Sequence, residues 1–171
     1  MSAVKIVGIS GSLRARSSNA ALLRAAARIV PVTIYEGLAT LPPFNPDLDE
    51  EGATPPPAVA ELRRLLFEAD AVLISSPEYA HGVPGVLKNM LDWLVSAGAL
   101  EGKRVALLNA SPAGGTYAQA SLLETLRTMN WNVVAEASRI EPFVTRRIAG
   151  ELTEEKALAE LRAALAALVQ T

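Results

Sequence analysis

Apolar and polar positions along the chain switch between two periods. Short apolar runs at Lys5–Ser10, Val32–Gly37, Ala71–Ser76, Arg104–Ala110 and Val133–Ile140 are each followed by a stretch with helical spacing. Those stretches are Asn19–Ile29, Ala58–Ala69, Gly85–Ala97, Thr116–Met129 and Thr153–Val169. In the last, Thr153 ahead of Glu154 and Glu155 marks a helix start, and apolar residues at 158, 161, 165 and 168 mark one face. Strand–helix units in unbroken succession predict a parallel sheet with helices on both faces. The first, third and fourth runs are nearly continuous in Val, Ile, Leu and Ala, as strands covered on both sides are, and they form the predicted centre. The proline-rich stretch Gly37–Pro57, with Asp47, Asp49, Glu50 and Glu51, is excluded from regular helix or central strand. Its flanks are too short to fold alone, so it is expected as a long loop inside one domain covering residues 1–171.

Composition narrows the chemistry. A formal net charge of −2 and a sequence pI near 5.5 give no overall attraction to a polyanion, which argues against nucleic acid as a partner. The chain has no cysteine and a single histidine, so disulfides, thiolate nucleophiles and cysteine metal sites are excluded, and no metal is expected. The N-terminus lacks a signal-length apolar stretch and no run of 18 apolar residues occurs, so a cytoplasmic protein without membrane attachment is expected.

In an open parallel sheet, ligands lie beyond the carboxyl ends of the strands, where neighbouring connections diverge. The loops there are "SGSLRARSSN", "SPEYAHGVPG" and "NASPAGGTYAQ", each dense in Gly, Ser, Asn or Pro. The first delivers hydroxyls and arginines onto a helix start, where unpaired N–H groups and the helix dipole favour an anion. It matches neither GxxxxGK[ST] nor GxGxxG, although Glu36 stands where a ribose carboxylate would, and Ser10 replaces the acidic residue of a receiver domain. Two readings remain open on spacing alone. Either Ser10, Ser12, Arg14, Ser17 and Asn19 hold a monophosphate, or Ser17, Ser18 and Asn19 cap a helix while Arg14 and Arg16 are solvated.

Three stretches, "GSLRARSSNAALL", "SSPEYAHGVPGVLKNMLDWL" and "SPAGGTYAQASLLETLR", resemble the signatures of the NAD(P)H-dependent FMN reductases, a flavodoxin-like group that includes chromate, quinone and azo-compound reductases. The middle one is similar to PEYNxxxPGxLKNxxDW at Pro77, Glu78, Tyr79, Pro84, Gly85, Leu87, Lys88, Asn89, Asp92 and Trp93. Ala80 stands where that pattern has asparagine, and Arg16 stands where the first loop usually has a small residue. The resemblance implies a three-layer sandwich around a five-stranded parallel sheet of order 2-1-3-4-5. It further implies that Ser10, Ser12, Leu13, Arg14, Ser17 and Asn19 surround the FMN phosphate and the start of the ribityl chain. By the same resemblance, Pro77, Glu78, Tyr79, Ala80 and His81 line the isoalloxazine edge, and Ser111, Ala113, Gly114 and Gly115 close the other side.

No acid, base or nucleophile is then required, because the flavin carries the redox chemistry with NADPH or NADH as co-substrate and a small-molecule electron acceptor. A non-enzymatic flavin carrier or redox sensor is the rival reading. Sparse aromatic residues, 5% of the chain, favour an open ring face suited to hydride transfer. Several of these residues also have plain structural readings: His81 as a surface or subunit contact, Glu78 as a loop brace, and Lys88 with Asp92 as a helix-face pair. Met90, Trp93 and Leu94 read as core or subunit interface. Helix Gly85–Ala97 is apolar around much of its circumference, so a homodimer or homotetramer is expected, with this helix and the Pro42–Asp49 loop near the interface.

Overall fold

The computed structural model describes residues 4–139, 144, 146, 148 and 150–170. Among these, strands β1 (Ile6–Ser10), β2 (Val32–Tyr35), β3 (Ala71–Ser75), β4 (Arg104–Leu108) and β5 (Asn132–Val133) form one sheet of order β2-β1-β3-β4-β5. Every pairing is parallel. Helices α1 (Ser18–Ile29), α2 (Pro57–Glu68), α3 (Gly85–Asp92), α4 (Thr116–Thr128) and α5 (Glu155–Val169) cover both faces. This is the expected flavodoxin-like doubly wound sandwich.

Strand alternation divides the core. On β3, Ala71 and Leu73 face α1 and α5, whereas Val72 and Ile74 face the side that holds Leu62, Leu66, Leu87, Met90, Leu122 and Leu126. Each such leucine or isoleucine, fully removed from water, contributes about 1.5–3 kcal/mol. Register then builds the rim: Ser10 of β1 pairs with Ser75 of β3, which pairs with Leu108 of β4. Three strands therefore end level, and their three following loops meet at one place.

Most element boundaries shift by only a residue or two, but several expectations are corrected. β2 stops at Tyr35, and a 3₁₀ turn Gly37–Thr40 follows. Pro46–Leu48 is a second such turn in the expected long loop, which otherwise stays irregular. Thr153 does not cap α5: the helix starts at Glu155, behind Glu154, with no side-chain cap.

The strand expected over Val133–Ile140 is much shorter. After Val134 the chain makes a 3₁₀ turn, Ala135–Ala137, because Ser138 Oγ donates to Val134 O while accepting from Leu107 N. The backbone returns to the sheet edge only at Arg139, whose N–H donates to Leu107 O at 2.9 Å. Residue 140, the end of that expected strand, lies outside the described residues.

The helix expected over Gly85–Ala97 ends at Asp92. Arg63 Nε donates to Trp93 O at 3.1 Å, engaging a carbonyl that continued helix would point at the amide of Ala97; that amide turns to Leu94 O instead. Most of the apolar circumference of this segment is consumed within the chain, Val95 excepted. Leu87, Met90, Leu91, Trp93 and Leu94 are all buried, and the proline-rich loop closes over them. Trp93 Nε1 donates to Pro42 O at 2.8 Å, Asn89 Nδ2 donates to the same oxygen at 2.9 Å, and Phe44 N donates to Asn89 Oδ1 at 2.8 Å. Phe44 meets the Trp93 ring edge to face at 5.1 Å. An excess of apolar residues on α3 thus covers itself with a loop of its own chain and is no argument for a second copy.

Candidate functional site

The level ends of β1, β3 and β4 open onto a cleft of about 420 Å³. One end is lined by Ser12, Arg14, Arg16, Ser17, Ser18 and Asn19, the other by Pro77, Glu78, Tyr79 and the segment Ala110–Ala113. Of the residues expected at the site, Ser12, Arg14, Ser17, Asn19, Pro77, Glu78, Tyr79, Ser111 and Ala113 meet here. Ser10, Leu13, Ala80, His81, Gly114 and Gly115 do not line it. Arg16, Ser18, Ala110 and Pro112 belong to the lining without having been expected there.

At the α1 end the capping reading of the first loop is seen, and the same loop faces the cleft. Ser17 caps the helix, its Oγ accepting from Ala20 N at 3.3 Å, and it also faces the cleft. The amides of Ser18 and Asn19, in the first turn, remain as donors at the positive end of the helix. Neither Arg14 nor Arg16 has a side-chain partner among the described residues, so two guanidinium groups stand free on this side. Asn19 is buried, and its Oδ1 is used inside the protein: it accepts from Ser75 Oγ at 2.8 Å and from Ala110 N at 3.1 Å. Asn19 therefore binds the ends of β3 and β4 to α1 and has only its amide donors to offer the cleft.

Ser10 closes a local turn instead of facing a ligand, since its Oγ donates to Ser12 O and accepts from Ser12 N, both at 3.2 Å. Ser12 Oγ accepts from Arg14 N and shares a hydrogen bond with Tyr79 Oη at 3.3 Å, linking the first loop to the second. Gly11 is forced by packing: a Cβ there would lie 2.5 Å from Ser76 Oγ.

The second and third loops are tied to each other. Glu78 Oε2 accepts from Ala118 N, in the first turn of α4, at 2.9 Å. This carboxylate is a helix cap and loop brace, the plain structural role. Tyr79 and Gly82 exchange backbone hydrogen bonds around Ala80 and His81, which have φ of 49° and 58°. Two successive left-handed residues make a type I′ turn, a geometry that favours Asn and Gly. His81 stacks on Tyr117, with centroids 4.2 Å apart and planes 23° from parallel. Tyr117 lay within a quoted loop, but its partner is thirty-six positions away, and no periodicity pairs them.

In the third loop Gly114 has φ of 84°, a left-handed position suited to glycine. Gly115 is needed for another reason: a Cβ would collide with Asn109 Nδ2. That donor is buried with no hydrogen-bond partner among the described residues.

The donor set suits FMN. A dianionic phosphate would meet a helix N-terminus, the hydroxyls of Ser12 and Ser17 and two guanidinium groups, with no carboxylate at that end; the Ser18 hydroxyl is already engaged with the Ile148 backbone. A flat ring would meet Pro77, Tyr79 and Ala110–Ala113, where the single lining carboxylate, Glu78, is already engaged. No group of three or more metal-ligating side chains occurs among the described residues.

Comparison with known proteins gives the family. The flavoenzyme NAD(P)H:(acceptor) oxidoreductase FerB of Paracoccus denitrificans superposes with a TM-score of 0.79 at 26% identity, over 96% of this chain and 95% of that one. The NAD(P)H-dependent FMN reductase of Pseudomonas aeruginosa is 40% identical over 130 residues, 72% of this chain and 69% of that protein. The quinone reductase of Escherichia coli K12 is 29% identical over 175 residues, 96% of this chain and 93% of that enzyme. The family model for NADPH-dependent FMN reductase matches residues 4–145, and the chain accordingly belongs to that family of NAD(P)H-dependent, FMN-using oxidoreductases.

Proposed function

We propose that the cleft holds FMN with its phosphate at the start of α1 and its ring against Pro77–Tyr79 and Ala110–Ala113, and that NAD(P)H and a small-molecule acceptor use the exposed ring face in turn. The observation that carries this reading is the polarity of the cleft, cationic with hydroxyls at the helix end and mostly apolar at the other, apart from Ser111 and the engaged Glu78 carboxylate. When bound, FMN supplies hydride acceptance and onward electron transfer. The chain's own residues supply position. Arg14, Arg16, Ser17 and the first-turn amides of α1 anchor the phosphate, Asn19 keeps the ends of β3 and β4 against α1, and Glu78 holds the two ring-facing loops at fixed separation.

No GxGxxG stretch is present to hold a dinucleotide independently, so one stacking site serves both substrates and the kinetics are ping-pong. The acceptors in view are free flavin, quinone, azo compound or chromate. The test is to mix FMN-loaded protein with NADPH anaerobically and follow flavin bleaching, then to vary NADPH at several acceptor concentrations. Bleaching at a catalytic rate and parallel double-reciprocal lines are expected. Bound FMN that NADPH does not bleach would make the protein a flavin carrier, and intersecting lines would require both substrates to be bound together.

Assembly as a homodimer or homotetramer belongs to the same reading. Its support is a small apolar patch in the expected place: Leu48 and Val95 are 47% and 65% exposed, and their neighbours Asp49 and Ser96 are joined at 2.6 Å. A monomeric mass by light scattering at micromolar concentration would remove it.

A further inference from the structure

One pair of rings at the strand-end rim serves neither the core nor the cradle. His81, from the loop after β3, lies against Tyr117 in the first turn of α4. Both are exposed, Tyr117 by 59%, so the stack gains little from burial. It is nevertheless held from both sides. His81 sits in a left-handed turn that its local sequence does not favour, closed by the two Tyr79–Gly82 hydrogen bonds. Tyr117 is carried by a helix start that Glu78 caps at the adjacent Ala118 amide. The rings thus project from the two loops whose neighbouring residues line the apolar end of the cleft. The His81 ring nitrogens and Tyr117 Oη have no hydrogen-bond partner among the described residues.

We propose that His81 and Tyr117 are positioning residues for the electron acceptor, forming a side wall that selects planar conjugated carbonyl compounds, the quinone class, over inorganic oxidants that have no flat face. This inference rests on the flavin-reductase reading above. A quinone over the apolar end of the cleft packs against the paired rings, and its carbonyl oxygens accept hydrogen bonds from Tyr117 Oη or a His81 N–H. A metal oxyanion or a cyanide complex offers no surface to stack. The overall reaction balances as NAD(P)H plus quinone plus one proton giving NAD(P)⁺ plus hydroquinone. Hydride carries both electrons and one hydrogen from the nicotinamide, and water supplies the second proton.

The test separates the acceptor step from the nicotinamide step. FMN-loaded wild type, Tyr117→Ala, Tyr117→Phe and His81→Ala proteins are reduced with dithionite, then mixed with subsaturating benzoquinone or with ferricyanide. Bleaching by NADPH is followed separately. Tyr117→Ala and His81→Ala should slow reoxidation by benzoquinone about tenfold, the scale of one lost ring contact, and leave ferricyanide reoxidation within about twofold. Tyr117→Phe should keep most of the benzoquinone rate, and FMN affinity should hold in all variants. Unchanged benzoquinone rates would overturn the wall, as would a loss shared equally by ferricyanide, which would mean a collapsed loop. Because dithionite replaces NADPH, a wild type that NADPH fails to bleach would count against the reductase reading without touching the acceptor result.

Discussion

Ala80 occupies a backbone position that alanine resists. At φ of 49° its Cβ crowds the following carbonyl, a conformation that costs an L-residue about 1–2 kcal/mol and that Asn tolerates better. The family pattern's asparagine at this position therefore has a conformational cause, beyond any contact with a ligand. Ala80→Asn should raise the unfolding temperature by about 2–4 °C, corresponding to about 1 kcal/mol, as measured by thermal melting of the cofactor-free protein. A lower melting temperature would mean that the turn is not formed in solution. Arg14 tests the phosphate end. With no partner among the described residues, its guanidinium can be removed without breaking any contact they make. Arg14→Ala should weaken FMN by about 1.5–3 kcal/mol and riboflavin hardly at all. Equal losses measured by fluorescence titration of both ligands would refute the phosphate assignment. The residue types at the site were legible in the sequence, but their partners were not. Glu78 and Ala118 stand forty positions apart, and only the level strand ends bring their loops together.

At the scale of elements, α3 and the proline-rich loop explain one another. Asn89 and Trp93, four residues apart, place both side chains on one face of the α3 segment, and both donate to the single carbonyl of Pro42. Two conspicuous positions of the middle signature are thus structural. They seat a loop that has no ladder of its own, and Asp49 then closes its far end on Arg63 at 2.7 Å. Trp93→Phe keeps the ring contact with Phe44 but removes the indole donor, so it should cost about 1 kcal/mol of stability by denaturant melting while FMN affinity stays within twofold. A large loss of FMN binding would place Trp93 at the cofactor after all. Sequence periodicity located the alternating strands and helices, because a strand buried on both faces and an amphipathic helix each have a period. It missed where α3 and β5 stop, since those ends are marked by Arg63 donating to Trp93 O and by Ser138 Oγ accepting from Leu107 N, contacts between segments with no shared period.

For the whole molecule, the decisive feature is that one cleft touches the ends of three neighbouring strands whose side chains feed both halves of the core. Asn19 links α1, β3 and β4, and Ile148 and Glu151 strap the same helix, with Ile148 N donating to Ser18 Oγ at 3.0 Å and Arg28 paired with Glu151 at 3.0 Å. A ligand seated there would not be released by opening one strand–helix unit, because the cleft lining comes from the first, third and fourth units together. Binding energy should therefore appear as global stability. With free FMN at a hundred times its dissociation constant, linkage contributes about 2.7 kcal/mol, which for a chain of this length raises the unfolding midpoint by about 5–10 °C. Riboflavin at the same concentration should give a clearly smaller rise, because it leaves the α1 terminus and both arginines without their anion. A scan in which FMN binds by titration yet leaves the main transition unmoved would show that the cleft opens locally, and would contradict a site built from the central strands.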